Sequence, residues 1–222
     1  MTQLVAIFRK DLLIEWRGKS RLIGLCCYAL TFLLLFSFAV GPDSVALRRH
    51  AAAYVWLSVL CVSTLLLVQS FRVETEEGAL EGLLLVPVSP AALFYGKALA
   101  NTLLIVAMGM FALPVAAILF DLSPAGSWGG LFLVLVLGAA GFAAPGTLYS
   151  ALTARIAAQQ LMLPVLLFPL VVPAVLAAVK ATSLLLEGDP MGQLSIWLAV
   201  QICFDLIYWS LCGLLFARGV EA

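Results

Sequence analysis

The feature that most constrains this chain is a succession of six long apolar blocks, at roughly 22–40, 51–70, 98–120, 128–150, 160–179 and 194–216. Wound as a helix at about 1.5 Å per residue, each is long enough to cross about 30 Å of hydrocarbon. The runs are continuous, as in "LTFLLLFSF" at 30–38, whereas a membrane barrel needs short alternating strands. The second block is the least uniform, carrying Ser58, Ser63, Thr64 and Gln69. A soluble fold lacks the polar surface to cover so much apolar chain: 64% of the 222 residues are hydrophobic and 11% are charged, against about 45–50% and about 25% in soluble domains. The first block follows about twenty residues and ends at Gly41–Pro42 without a small-residue cleavage pattern, so it reads as a retained span. The expected fold is all-α, a polytopic integral membrane protein with six transmembrane helices.

Basic residues set the orientation. With the N-terminus inside, Arg9, Lys10, Arg17, Lys19, Arg21, Arg72, Lys97, Arg155 and Arg218 fall on the cytoplasmic side, and Arg48, Arg49 and Lys180 fall outside. This asymmetry puts both termini in the cytoplasm, with an even number of spans. Arg48 and Arg49 oppose it locally, which makes the first hairpin its weakest part. Residues 1–21 read as a cytoplasmic amphipathic interfacial helix, residues 22–216 as the six-helix domain, and 217–222 as a short cytoplasmic tail. On a helical wheel Leu4, Val5, Phe8, Leu12 and Trp16 share an arc and Lys10 and Arg17 point away, while Glu15 intrudes on the apolar side.

The outer loops, 41–50 and 121–128, are too short to form a domain. A third, about 180–193, carries a Leu184–Leu186 patch able to dip into the outer leaflet or touch a partner. The longest inner connection, 71–90, holds Glu74, Glu76, Glu77 and Glu81, a third of the twelve acidic residues. As a helix from about Val73 to Leu85 it would gather Glu74, Glu77 and Glu81 at i, i+3 and i+7, with Leu80, Leu83 and Leu84 on a different surface. Gly78 and Gly82 weaken such a helix, and Pro87 and Pro90 end it. Solvent and a basic protein partner are equally good reasons for the acids.

Within the spans, Asp205 stands near the middle of the last block, with Gln201 one turn before and Tyr208 about one turn after. A carboxylate there must face protein and find hydrogen bonds. The stripe fits either interhelical glue or a substrate path. "GAAGFAAPG" at 138–146 is a small-residue surface suited to close packing, with Pro145 a candidate kink, and the fifth block carries Pro164, Pro169 and Pro173. The five cysteines all lie in blocks, without a CxxC, and read as small buried hydrophobes. His50, the single histidine, sits in the first outer loop without an aromatic haem-binding surface around it. No GxxxxGK[ST], HExxH, GxSxG or metal-spaced cluster occurs, so energy for driven work must come from another chain.

Three stretches carry a family resemblance: "FRKDLLIEWR" at 8–17, "AVGPD" at 39–43 and "FRVETEEGALEGLLLVPVSPAALFYGKALA" at 71–100. Its marker is F-R-x-E/D-x-x-x-G-x-L-E-x-L-L-L-x-P-x-S-P, matched by Phe71, Arg72, Glu74, Gly78, Leu80, Glu81, Leu83 to Leu85, Pro87, Ser89 and Pro90. In these, and in size and order of loops, the chain resembles the haem exporter protein B family of the cytochrome c maturation system. The resemblance implies an ABC-2-like permease in the bacterial inner membrane, non-catalytic alone, with ATP bound by a separate cytoplasmic cassette ATPase. It implies further partners: a haem-handling membrane protein with a tryptophan-rich segment, a small accessory membrane protein, a periplasmic haem chaperone and a second copy of this chain, but no nucleic acid. Haem would be the substrate of the complex, with no cofactor assigned to this chain. Segment 71–90 would then be the ATPase-coupling element, through Arg72, Glu74, Glu76, Glu77, Leu80, Glu81 and Leu84. Arg72 and Lys97 border it, and Lys97 there could anchor to lipid phosphates. The alternative is a non-transporting scaffold, in which ATP hydrolysis by the partner remodels the haem-handling complex.

Overall fold

The computed structural model describes residues 2–41, 43–71, 89–122, 127–154 and 159–221. The proposed coupling residues Arg72 to Leu84 lie outside the described residues. Within them the chain is all α: α1 Thr2–Arg17, α2 Lys19–Val40, α3 Ser44–Ser70, α4 Pro90–Leu119, α5 Trp128–Thr153, α6 Gln159–Glu187 and α7 Leu194–Glu221. Six of these, all but α1, are long and apolar enough to span a membrane. Hydrocarbon offers backbone groups no hydrogen bonds, so helices that satisfy themselves internally are the form such runs must take.

Short polar connections start the helices. Asp43 accepts from the amides of Val45 (3.0 Å) and Ala46 (3.1 Å) at the head of α3. Ser127 accepts from Gly130 (3.0 Å) at α5, and Ser89 accepts from Ala92 (3.3 Å) at α4, where Pro90 fills the first helical position. Asp189 accepts from Gln193 (2.9 Å) and Leu194 (2.8 Å) before α7; these bonds to its ionised form hold its carboxyl below the ordinary value. At the same outer end Arg48 pairs with Asp121, which gives one of the two locally adverse arginines an acidic partner on the second outer loop. The Leu184–Leu186 patch belongs to α6, which runs on to Glu187 as a continuous helix, and Leu185 is buried in the main core beside Gly130.

The helices α3 and α5 are mostly buried, and α2 and α7 are the least buried of the six long helices. The glycine-rich face of α5 explains this centrality. A Cβ at Gly138 would overlap the Trp56 indole of α3, and one at Gly146 would overlap Leu67. Trp56 stands edge-on to Phe142 at 5.8 Å and donates from Nε1 to Thr182 Oγ1 of α6 at 2.9 Å. Ser150 Oγ of α5 donates to the Leu67 carbonyl at 2.6 Å, and Trp209 Nε1 of α7 donates to the Ala140 carbonyl at 3.1 Å. The α5 helix continues through Pro145, and α6 through Pro164, Pro169 and Pro173.

Because the indole and Gly138 already touch, Gly138→Ala should destabilise the detergent-purified protein by about 1–3 kcal/mol through overpacking. Gly129, on the same helix, has nothing within 4 Å of its missing Cβ, and Gly129→Ala should be neutral or stabilising by about 0.5–1 kcal/mol. Equal melting shifts for the two variants would sink the close-packing account.

Candidate functional site

At the inner end, five helices converge on a buried polar cluster. Its assembly begins with Gly96 in the second turn of α4, where the missing side chain lets α1 come close: a Cβ there would lie 3.0 Å from Ile7 Cγ2 and 3.2 Å from the Leu4 carbonyl oxygen. One turn further along α1, Asp11 then reaches the next residue of α4, Lys97. The Lys97 ammonium lies 3.3 Å from Asp11 Oδ2, donates to the Ser70 carbonyl at 3.0 Å, and sits 4.6 Å from the centre of the Phe71 ring. It is 2% exposed. A lysine expected to reach lipid phosphates is instead committed to protein, because the close approach of α1 covers it and supplies a counter-charge. Lys10 also pairs with Asp11, at 3.3 Å.

The cluster continues into the bundle. Asn101, one turn beyond Lys97, donates to Ser70 Oγ (3.1 Å) and to Thr147 Oγ1 of α5 (2.9 Å). Towards α2, Glu15 is buried and pairs with Arg21 at 2.7 Å. The intrusion of Glu15 on the apolar arc of α1 thus has a structural reason: the buried stripe of α1 carries two acids, Asp11 and Glu15, each with its own cation, while Val5 and Trp16 are exposed. A cavity of about 40 Å³ lies among Asp11, Glu15, Arg21, Ser70, Lys97 and Asn101. It has room for water, which would bond Glu15 Oε2 and the Arg21 Nε and Nη2 atoms, all buried without a partner among the described residues.

Both flanks of segment 72–88 are tied down here. Phe71 and Phe94 pack on Phe216 of α7, with ring centres 6.3 and 5.5 Å away, and Tyr95 stacks on Trp209 at 6.2 Å. The end of α3, the start of α4 and the inner part of α7 are therefore packed together.

The membrane-embedded polar stripe sits elsewhere, on α7. Gln201 is 1% exposed, and neither of its amide atoms has a hydrogen-bond partner among the described residues; the same holds for Asp205 Oδ2. Asp205 Oδ1 faces the missing side chain of Gly141 on α5, 3.1 Å from where a Cβ would be. Tyr208 stacks on Phe204 at 4.2 Å. Among the described residues no three of His, Cys, Asp and Glu group as a metal site.

A family model described as "CcmB protein" matches residues 2–211. The chain belongs to the CcmB protein family. Proteins named heme exporter protein B are its relatives: that of Bradyrhizobium diazoefficiens is 34% identical over 194 residues, 86% of each chain. That of Rhodobacter capsulatus is 33% identical over 173 residues, 77% of this chain and 78% of the relative. That of Pseudomonas aeruginosa is 30% identical over 184 residues, 83% and 82%. In this CcmB-family chain the match takes in α1 together with the six long helices, so the inner polar cluster lies wholly within it.

The sequence did not single out Asp11, Ser70, Asn101 or Thr147, and it offered Lys97 as a border of the coupling segment that could anchor to lipid phosphates. The one available signal was Glu15, an acid on an apolar arc. Removing one partner of a buried ion pair costs about 3–5 kcal/mol; Asp11 keeps 16% side-chain exposure, so this is an upper bound. Asp11→Ala should approach it, and adding Lys97→Met should recover most of the loss. Additive losses in a thermal-unfolding cycle would mean that the two side chains act independently. Burial pushes the Glu15 carboxyl above its ordinary value of 4.5, the Arg21 cation opposes this, and Asp11 reinforces it. Folding thus favours the protonated form, and the stability this gives is complete below the ordinary value and lost as pH rises through the raised one. Glu15→Gln should therefore match wild type in acid and gain on it towards neutral pH, read as the difference in melting temperature.

Proposed function

We propose that this chain is the membrane permease subunit of an ATP-binding-cassette complex in the bacterial inner membrane, required for haem export or haem-chaperone release during periplasmic cytochrome c maturation. The carrying observation is the family match over residues 2–211 on a six-helix membrane body. The name of the relatives, heme exporter protein B, suggests the substrate. On this reading the chain is non-catalytic, ATP is bound and hydrolysed by a separate cytoplasmic subunit, and haem is the substrate of the assembly. The haem-handling membrane protein, the small accessory membrane protein and the periplasmic haem chaperone complete the machinery, with two copies of this chain.

Arg72, Glu74, Glu76, Glu77, Leu80, Glu81 and Leu84 are the proposed seat for the ATPase. The anchoring of both flanks supports this. A push on the segment joining Phe71 to Ser89 would be delivered to α3 and α4, to α7 through Phe216, and to α1 through Lys97 and Asp11. Gln201, Asp205 and Tyr208 are assigned to glue between α7 and α5, since Asp205 faces Gly141 of α5; the stacking of Tyr208 on Phe204 is a contact within α7.

Reversing Glu74, Glu77 and Glu81 to lysine should leave membrane insertion intact, abolish co-purification of the ATPase subunit and stop ATP-dependent cytochrome c maturation. A variant retaining both would reduce the segment to a solvated loop and move the contact to α1. In the purified wild-type complex, ATP turnover stimulated by haem favours transport. Turnover stimulated only by the haem-loaded chaperone favours the scaffold alternative.

A further inference from the structure

On the other side of α1 from the polar cluster lies a cleft of about 550 Å³ between α1, α2 and α4, a volume in the range of small-molecule pockets, about 300–1,000 Å³. Arg9, Leu12, Leu13 and Trp16 line it from α1, at i, i+3, i+4 and i+7 and therefore on one face, and Leu103 and Met108 line it from α4. Leu103 is thirteen residues into α4, about 20 Å along the helix from its inner start, which places the floor of the cleft within the hydrocarbon. Leu13 (46%), Trp16 (73%) and Leu103 (45%) are open to the surroundings. Water does not fill an apolar cleft at this depth, whereas a hydrocarbon chain does.

One residue on this face breaks the apolar pattern. Arg9 is exposed and has no ion pair among the described residues, unlike Lys10, which is drawn to Asp11. Among the described residues the other charged group on the lining is Glu15, already held by Arg21 at 2.7 Å. Arg17, the last residue of α1, and Lys19, the first of α2, are also exposed. An unpaired guanidinium on the rim of a hydrocarbon-filled cleft calls for an anion carrying an acyl chain. The apolar face of a partner helix would leave that charge uncompensated.

We propose that this cleft is a binding site for an anionic phospholipid of the inner leaflet, with one acyl chain between α1 and α4 and the headgroup phosphate on Arg9. The lipid would fill the space behind α1 and hold that helix against α4. Full-length protein in liposomes of phosphatidylcholine with a minor fraction of phosphatidylglycerol bearing a photoreactive acyl chain tests this, with labelled peptides mapped by mass spectrometry. Label should concentrate on Leu12–Trp16 and Leu103–Met108 relative to the lipid-facing residues Val165 and Leu166 of α6. Arg9→Ala should lower it about fivefold, the worth of about 1 kcal/mol for one cation at an anionic surface, and Arg9→Lys should restore most of it. Leu103→Trp, which fills the cleft without changing charge, should lower it as well. Equal labelling by a phosphatidylcholine probe, or no response to Arg9→Ala, would overturn the site. So would crosslinking of residue 13 to a second protein chain in the native complex in place of lipid.

Discussion

Helices in hydrocarbon gain little from hiding apolar side chains from one another, because lipid tails are as apolar as leucine. What holds them is contact area at short range, and close approach at α5 is the constraint on which the rest of this bundle depends. Gly138 takes the outer rim of the Trp56 indole and Gly146 takes Leu67, so α3 and α5 touch at both places. Once they do, Trp56 can reach Thr182 on α6 and Ser150 can reach the Leu67 carbonyl. Each such bond contributes about 0.6 kcal/mol in a membrane, which is small beside the overlap that a single methyl group at Gly138 would create. Shape comes first, and the polar contacts follow from it.

The polar groups divide into two populations. Those at the inner end are mutually satisfied: Lys97 with Asp11 and the Ser70 carbonyl, Asn101 with Ser70 and Thr147. Those on α7 are not, since Gln201 and Asp205 Oδ2 lack partners among the described residues. A central carboxylate costs about 2.5–3.5 kcal/mol on insertion scales, and a buried unpaired amide adds about 1–3 kcal/mol. Both of these groups belong to α7. It is also among the most exposed of the six long helices.

The architecture was legible because continuous apolar runs of about twenty residues have one solution in a bilayer. Close packing at 138–146 was legible too, from glycine and alanine content, but its partner was not. Trp56 is 82 positions from Gly138, and nothing local in either stretch names the other. The inner cluster was hidden for the same reason, with Asp11 and Lys97 separated by 86 residues. A lysine at the inner end of a span reads equally well as a lipid anchor or a buried cation, and only the approach of α1 at Gly96 decides. Glu15 left a trace, as an acid out of place on an amphipathic wheel, because a buried pair must break the apolar pattern on at least one side. The helices also run beyond the apolar blocks, α4 starting at Pro90 rather than near 98, since Ser89 and Pro90 begin a helix by local backbone chemistry whether or not lipid surrounds it.

Two cations near α1 have opposite fates, and the difference bears on how that helix can move. Lys97 is buried, so lifting α1 from α4 would expose an ion pair and strip the ammonium of its carboxylate; the attraction lost is far larger at protein depth than in water. Arg9 and Trp16, on the cleft side, lose nothing buried by such a motion. The energetic resistance to tilting α1 is therefore concentrated at Asp11 and Lys97, within one turn of the Ser70 carbonyl and the Phe71 ring. Helix α1 thus carries a tightly bonded inner cluster on one side and a cleft on the other. The Gly18 junction with α2, where no side chain caps the next helix, is the joint at its far end.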